Sequence, residues 1–146
     1  MSVFGSLIDQ TEVISILKDA VEASRMVDNK TQSMTNTWLF TGPPGSGRSN
    51  AAIAFAAAFV CKDGGCSKCN DCMSTIIGTH ADVELIKTAG LSIKIDEVRE
   101  LISRASWAPS VANYRVVVME DADRLTESAA NALLKVIEEP GLRTIW

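Results

Sequence analysis

The stretch Thr41-Gly42-Pro43-Pro44-Gly45-Ser46-Gly47-Arg48-Ser49-Asn50 constrains the fold of this chain more than any other. The apolar run Trp38-Leu39-Phe40 before it predicts a buried strand. The uncharged, alanine-rich run from Ser49 to Val60 after it predicts a helix with small side chains on every face, suited to close packing. A glycine-rich turn leading from a buried strand into a helix is the architecture of a phosphate-binding loop. In such a loop the backbone N–H groups of Gly45, Gly47, Arg48 and Ser49 point into one concavity, and the positive end of the helix dipole adds to them. The pattern requires glycine, then glycine-lysine-serine or threonine after four intervening residues. Here it reads Gly42 followed by Gly47-Arg48-Ser49, so arginine stands in the lysine position. An ordinary glycine-rich turn is the competing reading.

A second motif weighs against that competitor. Tyr114-Arg115-Val116-Val117-Val118-Met119 reads as a buried, β-branched strand running straight into Glu120-Asp121-Ala122-Asp123. Acidic residues at the carboxyl end of a central strand sit where a P-loop protein holds Mg2+ and polarises water. A solvated acidic loop is the bland alternative. Glu120 and Asp121 are the candidate catalytic pair; Gly42, Pro43, Pro44, Gly45, Ser46, Gly47, Arg48, Ser49 and Asn50 are the candidate nucleotide-binding residues.

Cys61, Cys66, Cys69 and Cys72 are the chain's only cysteines. Gly64 and Gly65 allow a tight turn between the first two. Four thiolates this close can surround one Zn2+ tetrahedrally, leaving no open ligand position, which predicts a structural site. Disulfides are the alternative, disfavoured in a chain with no secretory signal. His80 reads as a turn residue before a strand rather than a ligand or general base.

Around these motifs, Val13, Ile14, Leu17, Ala20 and Val21 mark an amphipathic helix starting near Thr11, and Asp28–Asn36 reads as a surface loop. Asp82–Lys87 alternates as a strand. Ile95, Val98, Leu101, Ile102 and Ala105 mark a helix that Trp107-Ala108-Pro109 ends, and a last helix runs from about Thr126 to Pro140. Strands alternating with helices predict an α/β fold with a mainly parallel sheet and helices on both faces. The chain stops inside an expected strand at Thr144–Trp146, which suggests a domain truncated before its last strand, within a longer protein. At 146 residues and 47% hydrophobic, the chain is long and apolar enough for one globular domain, and it has no apolar run of membrane-spanning length. The missing signal sequence predicts a cytoplasmic protein. A net charge of −4 gives no reason to expect autonomous DNA binding.

The P-loop, the cysteine cluster directly after its helix, Gly-Thr-His-Ala-Asp at 78–82 and the run from Glu120 through Asn131-Ala132-Leu133-Leu134-Lys135 to Glu138-Glu139-Pro140 occur in that order. Together they resemble the AAA+ clamp-loader subunits of bacterial DNA polymerase III, the delta-prime subunits more closely than the gamma/tau subunits. The resemblance covers nearly the whole chain. It implies an N-terminal AAA+ nucleotide-binding domain over 1–146 with a zinc-binding module, 61–72, inserted after the first P-loop helix. It also implies a part in ATP-dependent loading of the sliding clamp on primed DNA, in a ring with gamma/tau and delta subunits. The family's P-loop lysine is Arg48 here, and its Asp-Glu acidic motif is Glu120-Asp121. These departures match delta-prime subunits, which act as a stator and bind or turn over ATP weakly or not at all. An active ATPase motor of the gamma/tau type and a zinc-ribbon nucleic-acid binder with a vestigial P-loop are the competing functions.

Overall fold

The computed structural model describes residues 2–26, 35–141 and 143–146. Most of the surface loop expected over Asp28–Asn36 lies outside the described residues. In chain order the elements are a 3-10 turn at Val3–Ser6, α1 (Thr11–Met26), α2 (Arg48–Val60), α3 (Asn70–Ile76), β1 (Val83–Ile86), α4 (Ile95–Ala105), β2 (Arg115–Met119), a 3-10 turn at Ala122–Arg124, α5 (Glu127–Glu138) and β3 (Thr144–Ile145). They fall into two compact units: residues 1–35 with 39–80, and residues 36–38 with 81–146. No helix among the described residues is long and apolar enough to cross a membrane.

The first unit is built on α2. Its residues Ala54 to Val60 are buried without a break, so the helix is enclosed on every side, as its lack of charge predicts. Alanine lets α1, α3 and the Val3–Ser6 turn approach its backbone closely. The helix is punctuated by Phe55 and Phe59, whose rings meet edge to face at 4.7 Å. Such a pair adds about 1 kcal/mol beyond its area burial. α1 turns Leu17, Val21 and Ser24 inward at helical spacing.

The second unit is a parallel sheet in the order β1-β2-β3, with Val83 opposite Val116 and Arg115 opposite Thr144. β2 is central, which is why its β-branched run is buried at Val116 and Val117. α4 packs on β2 through Leu101 and Ala105, and α4 and α5 share a cluster of Ile93, Val98, Ala129 and Leu133. Local caps fix both helix starts. The Lys94 N–H donates to the Glu97 carboxylate at 2.8 Å, and the Thr126 hydroxyl accepts from the Ala129 N–H at 3.3 Å.

The expected buried strand at Trp38–Phe40 does not form. Leu39 is 81% exposed and no ladder runs along the segment. The pairing lies earlier: Trp146 N–H donates to the Asn36 carbonyl at 2.6 Å, and Trp38 N–H donates to the Trp146 carbonyl at 2.8 Å. This parallel pairing extends the sheet beyond β3, but hydrogen bonds to one residue's backbone do not define a strand.

Candidate metal centre and phosphate-binding loop

Cys61 ends α2, Cys66 lies in the turn that follows, and Cys69 and Cys72 bracket the start of α3. The sulfur of Cys69 is itself the cap of α3, accepting from the Cys72 N–H at 3.4 Å. Further N–H groups face the other sulfurs: Asp63 and Cys66 donate to Cys61 Sγ at 3.4 and 3.5 Å, and Cys69 donates to Cys66 Sγ at 3.4 Å. Donors of this kind offset thiolate charge. All four sulfurs lie within 4.8 Å of one another, and those of Cys61 and Cys69 are 3.6 Å apart. A tetrahedral Zn–S shell with bonds of about 2.3 Å has S···S edges of roughly 3.8 Å. None of the four is in a disulfide. The cluster is therefore compatible with structural zinc.

The four thiols are not equivalent. Burial pushes the Cys61 thiol up, but the N–H groups of Cys66, Gly65 and Asp63 outweigh it and hold the group at about 7. Burial, reinforced by the Cys69 side chain, pushes Cys72 strongly the other way.

The loop is seated in the core of the first unit. Gly65 has a φ of 100°, and a Cβ there would meet Val3 Cγ2 at 2.6 Å, so only glycine fits. Its carbonyl accepts from the Val3 N–H at 3.0 Å, while Arg25 of α1 donates to the Cys61 carbonyl at 3.1 Å. His80 is buried 3.6 Å from an Asp71 oxygen, outside the sulfur cluster.

In the same unit the stretch from Gly42 to Ser46 forms an exposed turn, closed by the Ser46 N–H donating to the Pro43 carbonyl at 3.2 Å. Gly47 follows at φ 84° as the N-terminal cap of α2 and offers no side-chain acceptor. The first N–H groups of a helix have no intrahelical acceptor. No side chain caps those at the start of α2. Arg48 and Ser49 are the first helical residues, with Asn50 next.

Glu120 and Asp121 belong to the second unit, directly after β2. The Glu120 N–H donates to the Ile86 carbonyl at 2.9 Å, continuing the ladder by one residue. Asp121 then turns to φ 51° and starts the Ala122–Arg124 turn. Two basic residues that sequence reasoning passed over meet these acids: Lys87 Nζ is 3.3 Å from Glu120 Oε2, and Arg124 Nη2 is 3.6 Å from Asp121 Oδ2.

Asp82 was also missed as an organising residue. It is fully buried, immediately before β1. One carboxylate oxygen accepts from the Ser110 N–H and hydroxyl at 2.7 and 2.8 Å; the other accepts from the Val111 and Ala112 N–H groups at 2.7 Å each. Arg115 lies 3.6 Å away and also donates to the Trp107 carbonyl. Burial alone would raise this acid, but the converging donors bring it from its ordinary 3.8 down to about 2.

Comparison with known proteins agrees with this architecture. The chain is 32% identical over 139 residues to the DNA polymerase III subunit delta' of Bacillus subtilis, covering 93% of this chain and 40% of that protein. It is 33% identical over 116 residues to the subunit delta' of Pseudomonas aeruginosa, covering 75% and 35%. It is 30% identical over 142 residues to the subunit gamma/tau of Mycobacterium tuberculosis, covering 94% and 23%. The chain thus spans well under half the length of these relatives. Among solved structures, a DNA polymerase III gamma subunit-related protein of Thermotoga maritima superposes with a TM-score of 0.61 at 21% identity, over 90% of this chain and 37% of that one. The fold is accordingly the α/β P-loop NTPase fold of the AAA+ type. The family described as DNA polymerase III, delta subunit, matches residues 11–146, and the chain belongs to it, within the delta-prime and gamma/tau group of clamp-loader subunits.

Proposed function

We propose that residues 1–146 act as the N-terminal AAA+ nucleotide-binding domain of a delta-prime-type clamp-loader subunit, with a structural zinc module at 61–72. The reading is carried by the family match across nearly the whole chain together with the delta-prime relatives. In this role the protein is a stator in a ring with gamma/tau and delta subunits. It serves ATP-dependent placement of the sliding clamp on primer-template DNA in the cytoplasm, and touches clamp and DNA through the complex.

The N–H groups of Gly45, Gly47, Arg48 and Ser49 would hold the phosphates of a nucleotide, with the Ser49 hydroxyl beside them. ATP supplies binding energy and a transferable phosphoryl group. A P-loop lysine is a compact charge that reaches the outer phosphates, whereas the planar guanidinium of Arg48 prefers a bidentate fork. Glu120 and Asp121 reverse the acidic order, which shifts a reaching carboxylate by one methylene. Misplacement of about 1 Å costs roughly 100-fold in rate. Binding without hydrolysis is the expected outcome.

Two results test this. Full-length protein mixed with gamma/tau and delta subunits is expected to co-elute as one complex on size exclusion; failure to join while the others assemble overturns the clamp-loader reading. Within that complex, Arg48→Ala is expected to leave this subunit's own ATP turnover at background. The gamma/tau relatives support the second reading, an active motor. Turnover at this site that Arg48→Ala abolishes would establish it.

A further inference from the structure

The acidic end of β2 does not suit the metal role that its position suggests. In a P-loop protein, acids after the central strand serve a divalent ion held between them and the phosphates. A carboxylate serves that ion only with its charge available. Here Glu120, with a side chain only 18% exposed, faces Lys87 at 3.3 Å from the end of the neighbouring strand. Asp121 faces Arg124 at 3.6 Å from within its own turn. The local fold maintains both arrangements. The backbone ladder that joins Glu120 N–H to the Ile86 carbonyl sets the residue after Ile86, which is Lys87, beside Glu120. Arg124 is fixed by its N–H to the Asp121 carbonyl at 2.9 Å, by its guanidinium on the Gly90 carbonyl at 3.3 Å, and by the Ile93 N–H donating to its own carbonyl at 2.8 Å.

We infer that the chain's own cations neutralise this acidic pair, with Lys87 supplying beside Glu120 the positive charge that a divalent ion would bring, so that this end of the sheet takes up no Mg2+. The inference rests on reading Glu120-Asp121 as the counterpart of the P-loop metal motif. It makes Lys87 the residue that decides whether this end of the sheet takes a divalent ion. It also means that exchanging Glu120 with Asp121 and Arg48 with lysine does not restore hydrolysis while Lys87 remains, because a dication must still displace an ammonium group at contact distance.

The test uses zinc-loaded, full-length protein without nucleotide or partner subunits, so it is independent of whether the protein joins a clamp loader. Mn2+ serves as the probe, with free ion read by electron paramagnetic resonance. Wild-type protein is expected to show no saturable uptake that Glu120→Gln removes. The Lys87→Met/Arg124→Met variant is expected to bind Mn2+ at least about tenfold more tightly, and adding Glu120→Gln should abolish the gain. Lys87→Met alone, changing a side chain 75% exposed, carries the test if the double variant is unstable. Wild-type uptake that depends on Glu120 overturns the inference, as does a well-folded Lys87→Met variant with no gain.

Discussion

Asp82→Asn is expected to cost about 3–5 kcal/mol of folding stability, the loss that follows when a buried charge's partners are stranded. The carboxylate accepts from three consecutive backbone N–H groups and a hydroxyl, with Arg115 behind them. An asparagine of the same shape keeps one oxygen but turns an NH2 toward donors that need acceptors. In a chain of this size the loss lowers the melting temperature by about 10 °C or more. The pH dependence follows from the depressed acid. Folding favours the ionised form, so the contribution is complete above the ordinary value of 3.8 and is lost as pH falls toward about 2. That shift is worth about 2 kcal/mol. Urea unfolding of wild type between pH 6 and 2 should therefore show a falling acid limb that Asp82→Asn flattens. An unchanged limb in the variant would assign the acid sensitivity to other carboxylates.

Removing zinc is expected to produce the other large effect. Reduced protein purified without chelator should carry one equivalent of zinc, and stripping it should destabilise the first unit, because structural zinc sites contribute directly to folding. The sulfurs of Cys61 and Cys72 are buried, and Cys69 caps α3. The loop between them also anchors Val3 through Gly65 and α1 through Arg25. Loosening should therefore spread from 61–72 into α3, the Val3–Ser6 turn and the Arg25 end of α1. Cys69→Ser should act in the same direction. Hydrogen exchange would separate this from global unfolding: amides of α3 lose protection while those of β1 and β2 keep theirs. A folded, reduced sample containing no zinc would refute the assignment.

Regular burial was legible in the sequence. Of the residues that three- and four-residue spacing selected, α1 buries Leu17 and Val21, α4 buries Val98, Leu101 and Ala105, and α5 buries Ala129 and Leu133, while the others are half-buried; β2 lies where Val116, Val117, Val118 and Met119 run together. The cysteines were legible as a group because they are close in the chain as well as in space. α3 was not read as a helix. It is seven residues long, its cap is a cysteine sulfur, and the hydroxyls of Ser74 and Thr75 bond back to the carbonyls of Asn70 and Asp71. A polar helix that short carries no apolar period. Asp82 was visible only as the last letter of Gly-Thr-His-Ala-Asp and the first of a strand, since its partners lie far downstream, at Ser110 to Ala112. Lys87 and Arg124 drew no reading of their own from the sequence, because it is strand register and a left-handed turn at Asp121 that bring them to the acids. Trp38–Phe40 misled because an apolar triplet states only that burial is possible; a strand also needs a neighbour along its length.

The pairing of Asn36 and Trp38 with Trp146 bears on how the molecule is made. Ribosomal synthesis delivers α1, α2 and the cysteine loop long before the partner of Asn36 and Trp38 emerges. Contacts within the first unit are available early, whereas this rung of the sheet closes a loop spanning most of the chain. Non-local parallel pairing of that kind is intrinsically slow. Until Trp146 is translated, the segment just ahead of the glycine-rich turn has unmet backbone groups, which makes it the place where a nascent chain would need shielding from its neighbours.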